Sequence, residues 1–417
     1  MSRHRASGTA GMCYDAYMFR KTTAVLLSLS MFSSALMMNG CGTPALHSKE
    51  AIVLPSDDAG EQEWLNQTLD SFLNDGDVLP YGADWRVLEG NAFIEDNVIH
   101  KYDQAREYEH VVLEARTANG TYTYDNLTLL DPYVGYVMSY FSPDGDDKEQ
   151  LKLCYTYDSL YWFKCNEGKP VLAASLGTKR LRDPSLVRKK DGTFALLATQ
   201  GYDNPEIYVF DSQDLITYEN ERLLKVNESH DDLKMSEAQS WAPEAFYDRT
   251  IDRYVIYWSS VKDGGMYFNT SSDLSSFSPC EKLLDAGYPV IDRTFVKNGH
   301  DWTILLKDER EPMEEYSKLF EGTGSSWNSI TQFSSPVYDR HQVEGPFLMK
   351  ALDKTGWYLY CDDYTRGAYK ALYTEDLKYF AEISDARAML PVEDPAHGYA
   401  IPVTWRELSR LIEVYDS

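Results

Sequence analysis

From about residue 134 onward, apolar positions fall into short runs rich in β-branched and aromatic side chains, and the pattern returns at intervals of roughly fifty residues. Gly192–Thr199, Arg253–Ser260, Asp301–Leu306 and Gly356–Cys361 have this composition and are predicted to be half-buried strands. A carboxylate, usually with a proline nearby, opens an apolar stretch ahead of each run. The copies are Arg182-Asp183-Pro184, Pro243-Glu244-Ala245, Ile291-Asp292-Arg293 and Val343-Glu344-Gly345-Pro346. Behind the runs a turn recurs in which an acidic residue is followed by Leu and then an aromatic: Asp214-Leu215, Asp273-Leu274 and Glu375-Asp376-Leu377, with Ser325-Ser326-Trp327 as a degenerate copy.

Self-similarity at this period, with several short strands per unit, predicts an all-β fold, a five-bladed β-propeller over residues 134–417. The fifth blade is expected to be split. Tyr136–Phe141 and Lys152–Phe163 form an outer unit without an inner strand, and His397–Val403 is an inner strand with few partners after it. Joining the two closes the ring.

The remainder divides into three parts. Residues 18–41 read as an export signal, with Arg20 and Lys21, an apolar core from Ala24 to Met38, and then Asn39-Gly40-Cys41. The apolar run is short for a membrane span, and a small residue before Cys resembles a lipoprotein signal (segment 1–41), which would leave a lipidated Cys41 as the mature N-terminus. Ordinary secretion is the alternative, and Met18 is a second candidate start. Residues 42–80 are read as a tether followed by an amphipathic helix over Glu61–Leu73. Strand-like stretches in 81–133, such as Val111–Ala115 and Tyr122–Leu130, predict an extension too small for an independent core.

Composition narrows the partners. A net charge of −26 argues against nucleic acid, whose phosphates would be repelled, and is otherwise a solvated acidic surface. Cys154, Cys165, Cys280 and Cys361 lack CxxC pairing, so a metal cluster is not expected, and buried free thiols are favoured over disulfides.

The candidate chemistry lies with the carboxylates. Innermost propeller strands line a central channel, so acids at equivalent strand ends converge on one cavity. Glycoside hydrolysis asks for that geometry: one carboxylic acid protonates the leaving oxygen, one carboxylate acts across the sugar, and in inverting enzymes a gap of about 6.5–9.5 Å leaves room for water. A third acid nearby would raise the donor's pKa.

The ordered set Arg182-Asp183-Pro184, Trp241-Ala242-Pro243-Glu244, Ile291-Asp292, Val343-Glu344-Gly345-Pro346 and His397-Gly398 resembles glycoside hydrolase family 43, five-bladed propellers that act by inversion on arabinofuranosides and xylosides. The resemblance implies that Asp183 is the general base, Glu344 the proton donor and Asp292 the acid that orients the donor and tunes its pKa. Trp241, Glu244 and His397 are its expected substrate-side residues, Trp241 as an aromatic floor for the sugar. His397 would border the channel, near a metal in some relatives, so a structural calcium is the only ion considered and no cofactor is required. Arg293 stands where the family commonly has Pro and could pair with Asp292, lowering its pKa; Glu244 stands where Asp is commoner. The implied partner is an oligo- or polysaccharide. A fructan-cleaving retaining hydrolase, a non-catalytic sugar-binding propeller and a structural scaffold are the alternatives.

Overall fold

In a computed structural model, the structure describes residues 58–417 except 231–232, 237–238, 331, 391–393 and 417. The predicted export signal and most of the tether lie outside the described residues. The first described element is a helix, Asp58–Thr68. It is shorter than expected because Leu73 leaves the helical register: β1 (Phe72–Asn74) pairs in parallel with β6 (Thr121–Leu130) and buries Leu73 there. β2 (Asp84–Glu89) and β5 (Glu109–Arg116) complete that sheet, in the order β1-β6-β5-β2, and β3 (Ala92–Glu95) and β4 (Val98–Lys101) form a hairpin between them. The extension has more of a core than its length suggests. Leu65, Leu69, Leu73, Trp85, Val111 and Leu127 pack into one apolar cluster, so the helix supplies what the strands alone lack.

Antiparallel meanders follow. β7 (Tyr133–Phe141), β8 (Lys152–Thr156) and β9 (Trp162–Lys164) come first. Then β10 (Leu181–Arg188), β11 (Phe194–Gln200), β12 (Glu206–Ser212) and β13 (Tyr218–Lys225) form a sheet in chain order, as do β14 (Trp241–Asp248), β15 (Arg253–Ser260), β16 (Gly265–Ser271) and β17 (Glu281–Leu284). β18 (Val290–Asn298), β19 (Asp301–Asp308) and β20 (Leu319–Gly324) make a three-stranded sheet. This is where the turn signal was degenerate: Ile330 and Phe333 pack close over Gly322 on the last strand, and no fourth strand forms among the described residues. β21 (Glu344–Lys350), β22 (Trp357–Asp363), β23 (Ala368–Thr374) and β24 (Ala381–Ile383) form the next sheet. Finally β25 (Ala396–Thr404) pairs with β7, Ile401 opposite Val137, in the order β25-β7-β8-β9.

The leading strands β10, β14, β18, β21 and β25 lie against one another in that order, and β25 lies against β10. Apolar side chains fill each seam. Val187 and Leu197 share one apolar cluster with Tyr254 and Trp258, Tyr257 with Ile304, Leu305 with Leu359, Phe347 and Tyr360 with Met138 and Trp162, and Val137 and Ile401 with Leu186 and Leu196. The arrangement is all-β and propeller-like.

One irregularity recurs in these strands. In every leading strand the pairing slips: between Arg182 and Ser185, Trp241 and Glu244, Ile291 and Thr294, Glu344 and Phe347, and Ala396 and Tyr399. A bulge frees a residue from the ladder, bends the strand and re-aims its side chain. Asp183, Ala242, Asp292, Gly345 and His397 occupy the equivalent first bulge position. The first four have φ of 46°, 46°, 53° and 49°, a left-handed conformation that Gly adopts freely and Asp tolerates better than most residues.

β25 runs into a helix, Trp405–Tyr415, capped by Thr404 and Glu407 in reciprocal hydrogen bonds. Glu407 also takes hydrogen bonds from Arg188 at 2.5 and 3.0 Å, both partners buried, and from the half-buried Tyr108 at 3.0 Å. Glu407→Gln would leave the Arg188 cation without its counter-charge, and loss of one partner of a buried pair costs about 3–5 kcal/mol. Urea unfolding should show a destabilisation of that order.

Candidate active site

The bulged ends of the leading strands surround an open cavity of ≈ 490 Å³, mouth included, lined among others by Asp183, Trp241, Asp292, Glu344 and His397. His397, on the last leading strand, reaches toward two acids: its Nδ1 lies 3.6 Å from Asp183 Oδ1 and 3.7 Å from Asp292 Oδ2. Its backbone N–H donates to Asp362 Oδ2 at 3.1 Å. Gly345 makes the approach possible, because a Cβ there would stand 2.8 Å from the His397 ring. The Gly345 N–H donates to Asp292 Oδ2 at 3.0 Å, so Asp292 holds the backbone next to Glu344.

Glu344 precedes the bulge by one residue, and its carboxylate meets a cation rather than another acid. Lys307 Nζ donates to Glu344 Oε2 at 2.8 Å. Across the ladder Glu344 faces Asp362 of β22.

Burial and crowding set the charges. Burial raises the Asp292 carboxyl to about 6; Glu344 and Asp183 add to the rise, while His397 and Lys307 oppose it. For His397, burial disfavours the cation, but Asp292, Asp183, Glu344 and Glu244 outweigh it and raise its pKa above the ordinary value. Burial likewise pushes Asp362 well up, with Glu344 adding to it.

Trp241 and Tyr202 stand edge to face at the cavity rim, ring centroids 5.4 Å apart, and Trp241 Nε1 donates to the Tyr202 carbonyl at 2.6 Å. The Arg182 guanidinium lies 4.9 Å from both the Tyr202 and Phe141 ring centres and donates to Glu149 at 2.9 Å. A partly exposed aromatic pair beside buried acids offers a stacking face for a sugar ring.

Residues 131–409 match the family described as a probable glycosyl hydrolase domain, related to glycoside hydrolase family 43. The chain belongs to that family. An α-L-arabinofuranosidase of Bifidobacterium longum is 24% identical over 218 residues, 44% of this chain and 20% of that protein, so the chain spans about a fifth of this curated relative. Among solved structures, an exo-1,5-α-L-arabinanase from a bovine ruminal metagenomic library has 10% identity and a TM-score of 0.44, covering 60% of this chain and 92% of that one. An endo-1,4-β-xylanase from Bacteroides thetaiotaomicron has 11% identity and a TM-score of 0.45, covering 60% and 90%.

Asp183, Asp292, Glu344, Trp241 and His397 thus share one cavity, and Glu244 is not among its lining residues. Glu244 lies two residues beyond the bulge position, is 4% exposed, and accepts a hydrogen bond from Tyr257 Oη at 2.5 Å. Arg293 corrects a second expectation. Successive strand residues face opposite ways, so its guanidinium turns from Asp292, lies 3.9 Å from the Phe295 ring centre and donates to the Trp327 carbonyl at 2.9 Å. Among the described residues no group of three or more His, Cys, Asp and Glu side chains is placed to hold a metal ion.

Lys307, Glu309, Asp362 and Tyr202 were not singled out from sequence. Lys307 and Asp362 sit on second strands, opposite Ile291 and Glu344 in register. Taking the ladder partner of Glu344, and of the residue just ahead of Asp292, is the signal that would have found them.

Glu244 carries a stability prediction. Burial raises its carboxyl from 4.5 to about 8, against the lowering effect of the Tyr257 hydroxyl. The folded state therefore holds a proton that the unfolded chain releases, and stability falls as pH rises from about 4.5 to about 8. Glu244→Gln should remove that fall and be more stable at pH 7 by on the order of 3 kcal/mol, with the advantage fading below about pH 4.5. Melting curves of both proteins from pH 4 to 8 measure it.

Proposed function

We propose that the five sheets are the blades of one propeller closed through β25 and β7, and that its cavity hydrolyses an arabinofuranosyl or xylosyl bond with inversion. The observation that carries the reading is the recurrent bulge, which turns Asp183 and Asp292 into one cavity while Glu344 enters from the fourth leading strand. Asp183 takes the proton of a water that attacks the anomeric carbon. Glu344 gives its proton to the departing oxygen on the other side, the sugar–oxygen bond breaks, and the two products leave with the elements of one water added. Asp292 keeps the backbone beside Glu344 in place through Gly345, and Trp241 with Tyr202 offers the sugar an aromatic face.

The arabinofuranosidase relative supports the substrate class. Aryl α-L-arabinofuranoside and aryl β-D-xyloside assayed side by side test it: turnover of at least one is expected, and failure of both would sink it. The same reading places the protein at the cell envelope, anchored by lipid on Cys41. Cys41→Ala should then move it from the detergent phase to the soluble fraction, and unchanged partitioning would contradict the anchor.

A further inference from the structure

The group nearest the proposed proton donor is a buried cation, which is the wrong charge for keeping an acid protonated. Lys307 is 3% exposed in its side chain, and its Nζ lies 2.8 Å from Glu344 Oε2 and 2.8 Å from Glu309 Oε2. The Glu344 contact is a directed hydrogen bond; the Glu309 oxygen lacks hydrogen-bond geometry and meets Lys307 as an ion pair. Glu309 is the residue after β19 and also lines the cavity. The Tyr364 ring centre lies 5.0 Å from the ammonium on another side.

Building on the assignment of Glu344 as proton donor, we infer that Lys307 is a positioning residue that sets the donor's acidity, and that Glu309 divides the ammonium's charge with it. The physical argument concerns which state of Glu344 each neighbour favours. Around Glu344 stand two acids that burial pushes toward their neutral forms, Asp292 from β18 and Asp362 from β22, and two bases, His397 from β25 and Lys307 from β19; Lys307 donates directly to the Glu344 carboxylate, and a cation at that range favours the charged form of an acid. Tyr364, after β22, stands beside the same group as a neutral phenol. When Glu344 is protonated, Glu309 remains as counter-charge for the buried ammonium. As the proton moves to the departing oxygen, negative charge grows on Glu344 and Lys307 meets it in place. An interaction that strengthens as charge develops lowers the barrier, whereas one of constant strength does not. Burial alone would weaken the Lys307 cation, yet Glu344, Asp292 and Glu309 together raise its pKa above the ordinary value.

The experiment is the pH dependence of kcat/KM on a glycoside with a poor leaving group, for wild type, Glu344→Gln, Lys307→Met, Lys307→Arg and Glu309→Gln. The alkaline limb reports the protonated donor. Lys307→Met should move that limb up by roughly one pH unit, since an opposite charge at this range shifts a carboxyl by about 1–3 units. Lys307→Arg should restore it. Glu309→Gln should move it down, because the ammonium then serves Glu344 alone and a nearby like charge is gone. A residue that merely supports the fold would lower activity at every pH and leave the limb where it was. If Lys307→Met does not fold, Glu309→Gln decides by itself: a downward shift sustains the inference and a fixed limb overturns it. The Glu344→Gln profile separates the two layers. Retention of the limb there would remove the donor assignment and the inference with it; loss of the limb there, with no movement in Lys307→Met and Glu309→Gln, would overturn the inference alone.

Discussion

Asp183→Asn should lower kcat/KM on every substrate by about 10³-fold, within the 10²–10⁴ range of general-base effects. Leaving-group quality cannot compensate, because the missing step is removal of a proton from water. The side chain is of similar shape, so the bulge at Asp183 should persist: its φ of 46° is one that Asn tolerates about as well as Asp. The loss should therefore appear without a change in melting temperature of more than a few degrees. A variant within tenfold of wild type on both an activated aryl glycoside and an oligosaccharide would remove Asp183 from the chemistry.

The second large effect should be conditional. Glu344→Gln is expected to cost about 10²–10⁴-fold on an oligosaccharide, whose departing alcohol needs a proton, and less than about tenfold on an aryl glycoside with a strongly acidic phenol. The contrast matters more than either number. A structural Glu344, holding Lys307 in place and nothing more, would lower both rates alike when replaced. A supplementary sign is in the cation: with the Glu344 charge gone, Lys307 keeps only Glu309 as its close ion-pair partner, and binding of anionic inhibitors in the cavity should tighten.

The strands were legible because each apolar run is punctuated by turn residues, and the split sheet was legible because His397–Val403 had few partners left after it while the unit begun by Tyr136–Phe141 lacked an inner strand before it. Asp183 and Asp292 were legible as carboxylates that open apolar stretches in the order of the resemblance; in the structure both sit at the bulge, where a short acid can accept positive φ. Glu344 and Glu244 carry the same sequence punctuation, yet one lies a residue before the bulge and the other two residues after it. Composition does not encode that offset. It follows from the pairing register, and it decides that Glu344 lines the cavity while Glu244 is sealed against Tyr257. Arg293 was misjudged for the same cause, since adjacency in sequence suggested a pair where strand alternation forbids one. Lys307 and Asp362 belong to strands whose residues touch the site only across the ladder, so no local motif marks them. The helix was read too long because Leu73 fits a helical stripe and a buried strand equally well, and pairing with β6 settled the choice.

The central claim is that Asp183 and Glu344 work on opposite faces of one sugar, and the configuration of the first product tests it without reference to any rate. Wild-type enzyme acting on an aryl α-L-arabinofuranoside or aryl β-D-xyloside should be followed by proton NMR from the first minutes, before mutarotation mixes the anomers. Water activated by Asp183 attacks opposite the departing group, so the account predicts a first-formed sugar of inverted anomeric configuration. A first product of retained configuration would contradict it, since retention requires a covalent intermediate with carboxylates about 5–5.5 Å apart and a nucleophile in place of the base.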